Sequence, residues 1–215
     1  MKGLFITGTD TDVGKTYVTT SLAQFLASQG TNLIVQKWIQ TGKDRDVEHV
    51  PPSIPSQTVY HFSMPASPHL AADMAKKTID PKKILDAYHK ALANYDCVLV
   101  EGSGGILVPC SKQHFLIDIA KEALIPCLIV AENRVGTINH TILTWEACQK
   151  RGVPCVGILL NNRKTPPETQ ISQDHISILQ HFTGLPVFGP LPWSKKPCFK
   201  TIKNTWEKIG IWTTG

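Results

Sequence analysis

The run Phe5-Ile6-Thr7-Gly8-Thr9-Asp10-Thr11-Asp12-Val13-Gly14-Lys15-Thr16 frames the rest of the chain. It carries an apolar strand into a glycine-bounded turn and then into a segment of helical periodicity, the context in which a phosphate-cradling P-loop works. In such a loop the glycines let the backbone approach a polyphosphate, and successive N–H groups and the helix N-terminus point at it. Lys15 neutralises charge and Thr16 offers a hydroxyl to Mg²⁺. Asp12, Val13, Gly14 and Tyr17 complete the expected nucleotide-binding stretch. The spacing is unusual. The common pattern is G-x-x-x-x-G-K-[ST], yet Thr9 stands where its first glycine belongs and Gly8 comes one residue early.

Working outward, the 215 residues suit one domain with a substantial core. With 42% hydrophobic and 18% charged residues, and no apolar run near the roughly 20 residues of a membrane span, the composition is that of a globular chain. Met1-Lys2-Gly3 leads straight into the first strand, which leaves no room for a signal peptide and points to the cytosol. The six cysteines lack a C-x-x-C pair and the eight histidines lack metal-binding spacing, so neither disulfides nor zinc are expected. A net charge of +5 suits nucleotide phosphates but does not by itself argue for nucleic acid.

Strands are expected at Gly3–Thr7, Asn32–Ile39, Asp96–Glu101, Pro126–Ala131, Pro154–Leu160 and Pro186–Leu191. Helices are expected at Lys15–Ser28, from Asp80-Pro81 to about Asn94, near Phe115–Ala123, at Thr137–Arg151 and near Thr169–Phe182. The proline-rich stretch 40–67 reads as an irregular connection, and Lys195–Lys208 as a basic terminal helix or flap. Strict alternation of apolar strands with helices predicts an α/β fold, a doubly wound, mostly parallel sheet covered on both faces and P-loop NTPase-like. Ligands then sit at the strands' carboxyl ends.

The residues just past those ends form a set of tools. Mg²⁺ takes about six oxygen ligands, and Thr16, Asp46 and Glu101 are the candidates, with Asp44 a competitor for Asp46. Lys37, inside an apolar strand, calls for an anion to offset its desolvation; the plain alternative is a snorkelling edge lysine. Thr41 beside Gly42 can reach what Lys37 contacts, and Thr11 faces the place where a γ-phosphate transfers. Asn161 is an adenine reader or a turn former. Gly136, Thr137, Ile138 and Asn139 open a helix whose N–H groups suit a carboxylate; His140 beside them is a general base or a structural histidine.

Several stretches in order resemble the dethiobiotin synthetase family over most of the chain. They are Thr7–Thr16, Lys37 with Thr41-Gly42, Pro65–Ala71, Val100–Gly105, Gly136–His140 and Leu191-Pro192-Trp193. The resemblance implies a parallel-sheet P-loop enzyme, a ligase and usually a homodimer, that converts 7,8-diaminononanoate, CO₂ and ATP into dethiobiotin, ADP and phosphate through a carbamate and its phosphoric anhydride. It further implies that Lys15, Lys37 and Thr11 act in catalysis, with Thr41 on the carbamate. Asp46 and Glu101 join Thr16 at the metal, and Asn161, Pro192 and Trp193 sit at the nucleotide. Gly136–Asn139 hold the substrate carboxylate across the dimer interface. The chain departs from the family at Trp38, Arg45 and Ser103, of which Trp38 and Arg45 bear on the diamine pocket and on the placement of Asp46.

The competing reading is a P-loop ATPase switch of the partitioning type. Such proteins usually carry a second lysine five residues before the P-loop lysine, where this chain has Asp10. A related amidoligase acting on a larger carboxylate is a further alternative, for which the chain has little extra domain.

Overall fold

The computed structural model describes residues 2–43, 46–194 and 196–211. Seven strands form one sheet: β1 (Gly3–Gly8), β2 (Leu33–Thr41), β3 (Ser56–Phe62), β4 (Cys97–Gly105), β5 (Cys127–Glu132), β6 (Cys155–Asn161) and β7 (Val187–Leu191). Their order is β3-β2-β4-β1-β5-β6-β7 and every pairing is parallel. The alternation of strands and helices therefore gives the sheet anticipated from the sequence, with β1 buried at its centre.

Side chains alternate between the faces as a pleated strand requires. On one face, Leu4, Ile6, Val35, Leu99, Val130 and Leu159 pack with Val18, Leu22, Phe25 and Leu26 of α1 (Lys15–Ser28) and with Ile202 of α7 (Phe199–Ile211). On the other, Phe5, Trp38, Val98 and Val100 meet α2 (Pro68–Met74), α3 (Pro81–Asn94) and α4 (Leu116–Glu122). Ile129, Ala131, Ile158 and Leu160 pack on that side with α5 (Thr137–Arg151) and α6 (Thr169–Thr183). Helix ends follow local chemistry. Asp80 accepts a bond from the Lys82 amide at 2.9 Å with Pro81 at the first helical position, while Gly136 and Gly152 bracket α5 in left-handed conformations.

The connection expected to be irregular over 40–67 is only partly so. It contains a 3₁₀ turn, Asp46–His49, and the edge strand β3, so the sheet has one strand more than the sequence reading gave. β3 is polar on its outer side and flanked by Pro55 and Pro65, yet Thr58, Val59 and Tyr60 favour the strand conformation and an edge tolerates prolines at its ends. The first residue of the expected tail, Lys195, lies outside the described residues, residues 196–198 are irregular, and the rest from Phe199 falls in α7. Among the described residues no helix is long and apolar enough to cross a membrane.

Candidate functional site

The loop from Gly8 to Lys15 wraps tightly, and the early glycine has a steric reason. A Cβ at Gly8 would lie 2.8 Å from Val13 Cγ2 and 2.9 Å from the Asp10 carbonyl oxygen, so only glycine lets the loop close back this tightly. Lys15 Nζ donates to the Asp10 carbonyl at 2.9 Å, and the Asp10 carboxylate accepts the Thr11 amide at 2.7 Å. Gly14, at φ 99°, turns the chain into α1.

β2 and β4 bring the charged groups beneath this loop. Lys37 and Glu101 are register partners on the face that carries α1, which is why two charged residues in apolar strands end side by side. Lys37 Nζ lies 2.9 Å from Glu101 Oε1 and 2.5 Å from Asp46 Oδ2, and it donates to the Gly102 carbonyl at 2.8 Å. Thr16 Oγ1 donates to the same Glu101 oxygen at 2.8 Å. Lys37 is therefore a paired, buried cation, not a snorkelling edge residue. Burial pulls the Lys37 amine down, but the charges of Glu101 and Asp46 outweigh it and hold it above the ordinary lysine value. Burial likewise raises Glu101 above the usual carboxylate range against the pull of Lys37. At the more exposed Asp46 the balance reverses, and Lys37 overcomes burial to lower it. Lys15 is lowered to about 8, by burial and then by the like charge of Lys37.

A cavity of about 570 Å³ opens over this cluster and is lined by Thr11, Asp12, Gly14, Lys15, Thr16, Tyr17, Lys37, Thr41, Asp46 and Glu101, so ten of the residues singled out in the sequence converge. Gln40, Lys43, Ser103 and Arg163 line it too and were not anticipated as site residues. Gln40 is a buried amide whose Oε1 accepts the Asp46 amide at 3.2 Å and so positions that carboxylate. Arg163, two places past the end of β6, donates to the Asp12 carbonyl. A buried amide at the end of an apolar strand, and a basic residue just beyond one, were the available signals. The Thr16 hydroxyl and the Glu101 and Asp46 carboxylates form an all-oxygen donor set, the chemistry Mg²⁺ prefers.

A second cavity of about 480 Å³ adjoins the first, sharing Thr11, Thr41, Pro65, Ser103 and Gly104, and extends over Ala66, Ser67 and Pro68 to Val108 and Pro109. The remaining expected residues fall elsewhere. Val13 is buried beneath the loop. Asn161 is buried, and its Nδ2 donates to the Val13 carbonyl at 3.0 Å, so its amide braces the loop from the end of β6. The Asn133 amide in turn donates to the Asn161 carbonyl at 2.9 Å, and the Asn133 side chain bonds Asn162, Ser172 and His175 at 2.7–2.9 Å. Pro192 and Trp193 are exposed just past β7 and line neither cavity. Gly136, Thr137, Ile138 and Asn139 at the start of α5 also line neither, while His140 lines a separate hollow of about 390 Å³. Trp38 points into the core on the side opposite Lys37, against Phe5 at 5.3 Å and Tyr88 at 5.9 Å, and does not shape the pocket. Arg45 and Asp44 lie outside the described residues.

Fold and site together define a P-loop nucleotide-binding protein, and a family model described as AAA domain matches residues 2–197. Solved structures agree on the fold. The cell division ATPase MinD of Pyrococcus furiosus aligns with a TM-score of 0.65 at 13% identity, covering 99% of this chain and 100% of that one. A ParA family ATPase from Chlorobium tepidum aligns with a TM-score of 0.60 at 14% identity, covering 100% and 93%. Sequence relatives are more specific. The chain is 39% identical over 205 residues to the ATP-dependent dethiobiotin synthetase of Anoxybacillus flavithermus, covering 89% of this chain and 92% of that protein. It is 34% identical over 223 residues to that of Nitrosopumilus maritimus, covering 97% and 96%. The chain belongs to the dethiobiotin synthetase family.

Proposed function

We propose that this protein is an ATP-dependent dethiobiotin synthetase that closes a cyclic urea on 7,8-diaminononanoate with CO₂. The observation that carries this reading is the pair of adjoining cavities, one built around the P-loop and the other around Pro65–Pro68, with Thr11 and Thr41 on their shared border. A phosphate donor on one side and a diamine on the other meet at that border.

Carbamate formation, its phosphorylation and ring closure each place negative charge on oxygen, so the catalytic task is positioning and electrostatic stabilisation. Lys15 faces the phosphates from the loop, and Lys37 presents a buried ammonium between them and the border. Thr11 and Thr41 offer hydroxyls to the carbamate. Thr16, Asp46 and Glu101 would hold Mg²⁺, which when bound neutralises phosphate charge. Asn161 keeps the loop in shape from the base side, where Pro192 and Trp193 flank the end of the neighbouring strand: the Asn162 amide bonds the Leu191 carbonyl at 2.9 Å. The start of α5 does not line the cavities of its own chain, which suits a homodimer in which Gly136–Asn139 of a second copy take the substrate carboxylate.

Incubation with the diamine, bicarbonate, Mg²⁺ and ATP is expected to yield dethiobiotin by mass spectrometry. No product, together with ATP hydrolysis stimulated by DNA or a protein partner, would favour a partitioning-type switch. Lys37→Ala is expected to abolish ring closure while nucleotide still binds; retained turnover would make the lysine structural.

A further inference from the structure

The fold gathers three cysteines at the end of the sheet opposite the P-loop. Cys127 opens β5 and Cys155 opens β6, where they are register partners, and Cys148 lies in the last turn of α5, the helix that joins these strands. All three sulfurs fall within 4.8 Å of one another. Cys127 Sγ is 3.3 Å from Cys155 Sγ and 3.8 Å from Cys148 Sγ. Cys127 and Cys148 are buried, whereas Cys155 is half-buried beside the exposed Pro154. A hollow of about 660 Å³ lined by Ile125, Gly152 and Pro154 borders the same segment.

Two chemistries fit three neighbouring sulfurs. Three thiolates around a divalent ion would leave net negative charge in an apolar core, a costly arrangement. A disulfide is neutral. Adjacent strands sit about 4.8 Å apart, inside the Cα range of about 4.4–6.8 Å that disulfides span, so the two sulfurs need only close to about 2.05 Å by side-chain rotation.

We propose that Cys155 and Cys127 are a modification site oxidised by hydrogen peroxide. The Cys155 sulfur attacks the peroxide as its thiol gives up its proton, the O–O bond breaks, the departing hydroxide takes that proton and leaves as water, and Cys155 becomes a sulfenic acid. The Cys127 sulfur then attacks the Cys155 sulfur and the S–O bond breaks. The departing hydroxide takes the Cys127 proton as a second water, and the S–S bond forms. Two thiols lose two electrons in total and one peroxide becomes two waters. Cys148 is placed for exchange, since attack on the Cys127 sulfur would pass the disulfide to Cys127–Cys148 and return Cys155 as a thiol.

The test treats the reduced full-length protein with hydrogen peroxide, removes the excess with catalase, and maps peptides without reduction. The expected result is Cys127 cross-linked to Cys155, or to Cys148 after exchange, and released by dithiothreitol. In the double variant Cys127→Ser with Cys148→Ser, which removes both neighbouring thiols, Cys155 is expected to stop as the sulfenic acid and be trapped by dimedone severalfold more than in the unsubstituted protein. Cys155 remaining alkylatable while Cys198 is oxidised would overturn the proposal, as would equal dimedone trapping in both proteins. If the variant does not fold, the cross-link map of the unsubstituted protein decides alone.

Discussion

The side-chain amide of Asn161 donates to the backbone carbonyl of Val13 at 3.0 Å, tying the end of β6 to the phosphate loop that follows β1. A Cβ on Gly14 would stand 2.1 Å from that same nitrogen, so the loop glycine and the strand asparagine are fitted to each other. Asn161→Asp replaces the donor with a charged acceptor facing a carbonyl. Leaving a buried acceptor unpaired costs about 1–3 kcal/mol, so ATP affinity measured by calorimetry is expected to fall by roughly tenfold or more. An unchanged affinity would show that the brace does not shape the loop.

Lys37 stands between two carboxylates, and removing one partner of a buried charge set costs about 3–5 kcal/mol, whereas removing both is often nearly neutral. Lys37→Met is expected to lower stability to urea by about that amount, and Lys37→Met with Glu101→Gln to recover much of the loss. Strict additivity of the two changes would contradict the pairing at 2.9 Å.

Lys15, lowered to about 8 from the ordinary 10.5, loses its proton in the free protein as pH rises through about 8. The unfolded chain holds that proton up to 10.5, so between these values the lysine's contribution to folding stability becomes more favourable with rising pH. Bound phosphates raise the amine again. ATP binding at about pH 9 is therefore expected to take up protons, and at neutral pH far fewer, as read by calorimetry in buffers of different ionisation enthalpy. Lys15→Met should remove the difference.

Cys198, just before α7, has its thiol lowered by hydrogen bonding from Thr201, whose hydroxyl lies 3.5 Å away. Cys97 and Cys110 are buried and pushed up to about 12. Native protein is expected to react with a disulfide reagent at Cys198 well before either of them, and Thr201→Val should slow that first phase. Peptide mapping of the first labelled residue checks this.

Much of this arrangement was legible in the chain. Lys15–Ser28 and Thr137–Arg151 were bounded correctly because glycines stand at their ends and apolar residues recur at helical spacing. Glu101 announced itself as a carboxylate closing an apolar run. β3 was hidden because an edge strand needs only one paired side, so its polar residues and flanking prolines resemble a loop. The direction of Trp38 depends on pleat parity relative to Lys37, which shows only once the strand's register is known. The brace from Asn161 and the gathering of Cys127, Cys148 and Cys155 join positions far apart in the chain, where strand order decides who meets whom.

The bond between Lys15 and the Asp10 carbonyl bears on the timing of turnover. The ammonium is already engaged before any phosphate arrives, so capturing one is an exchange of acceptors, and the net gain is smaller than for an unengaged lysine. The reverse exchange is correspondingly easy: when the product diphosphate departs, the lysine returns to a waiting carbonyl instead of to bare solvent. Capture and release at this lysine are thus both exchanges of one acceptor for another.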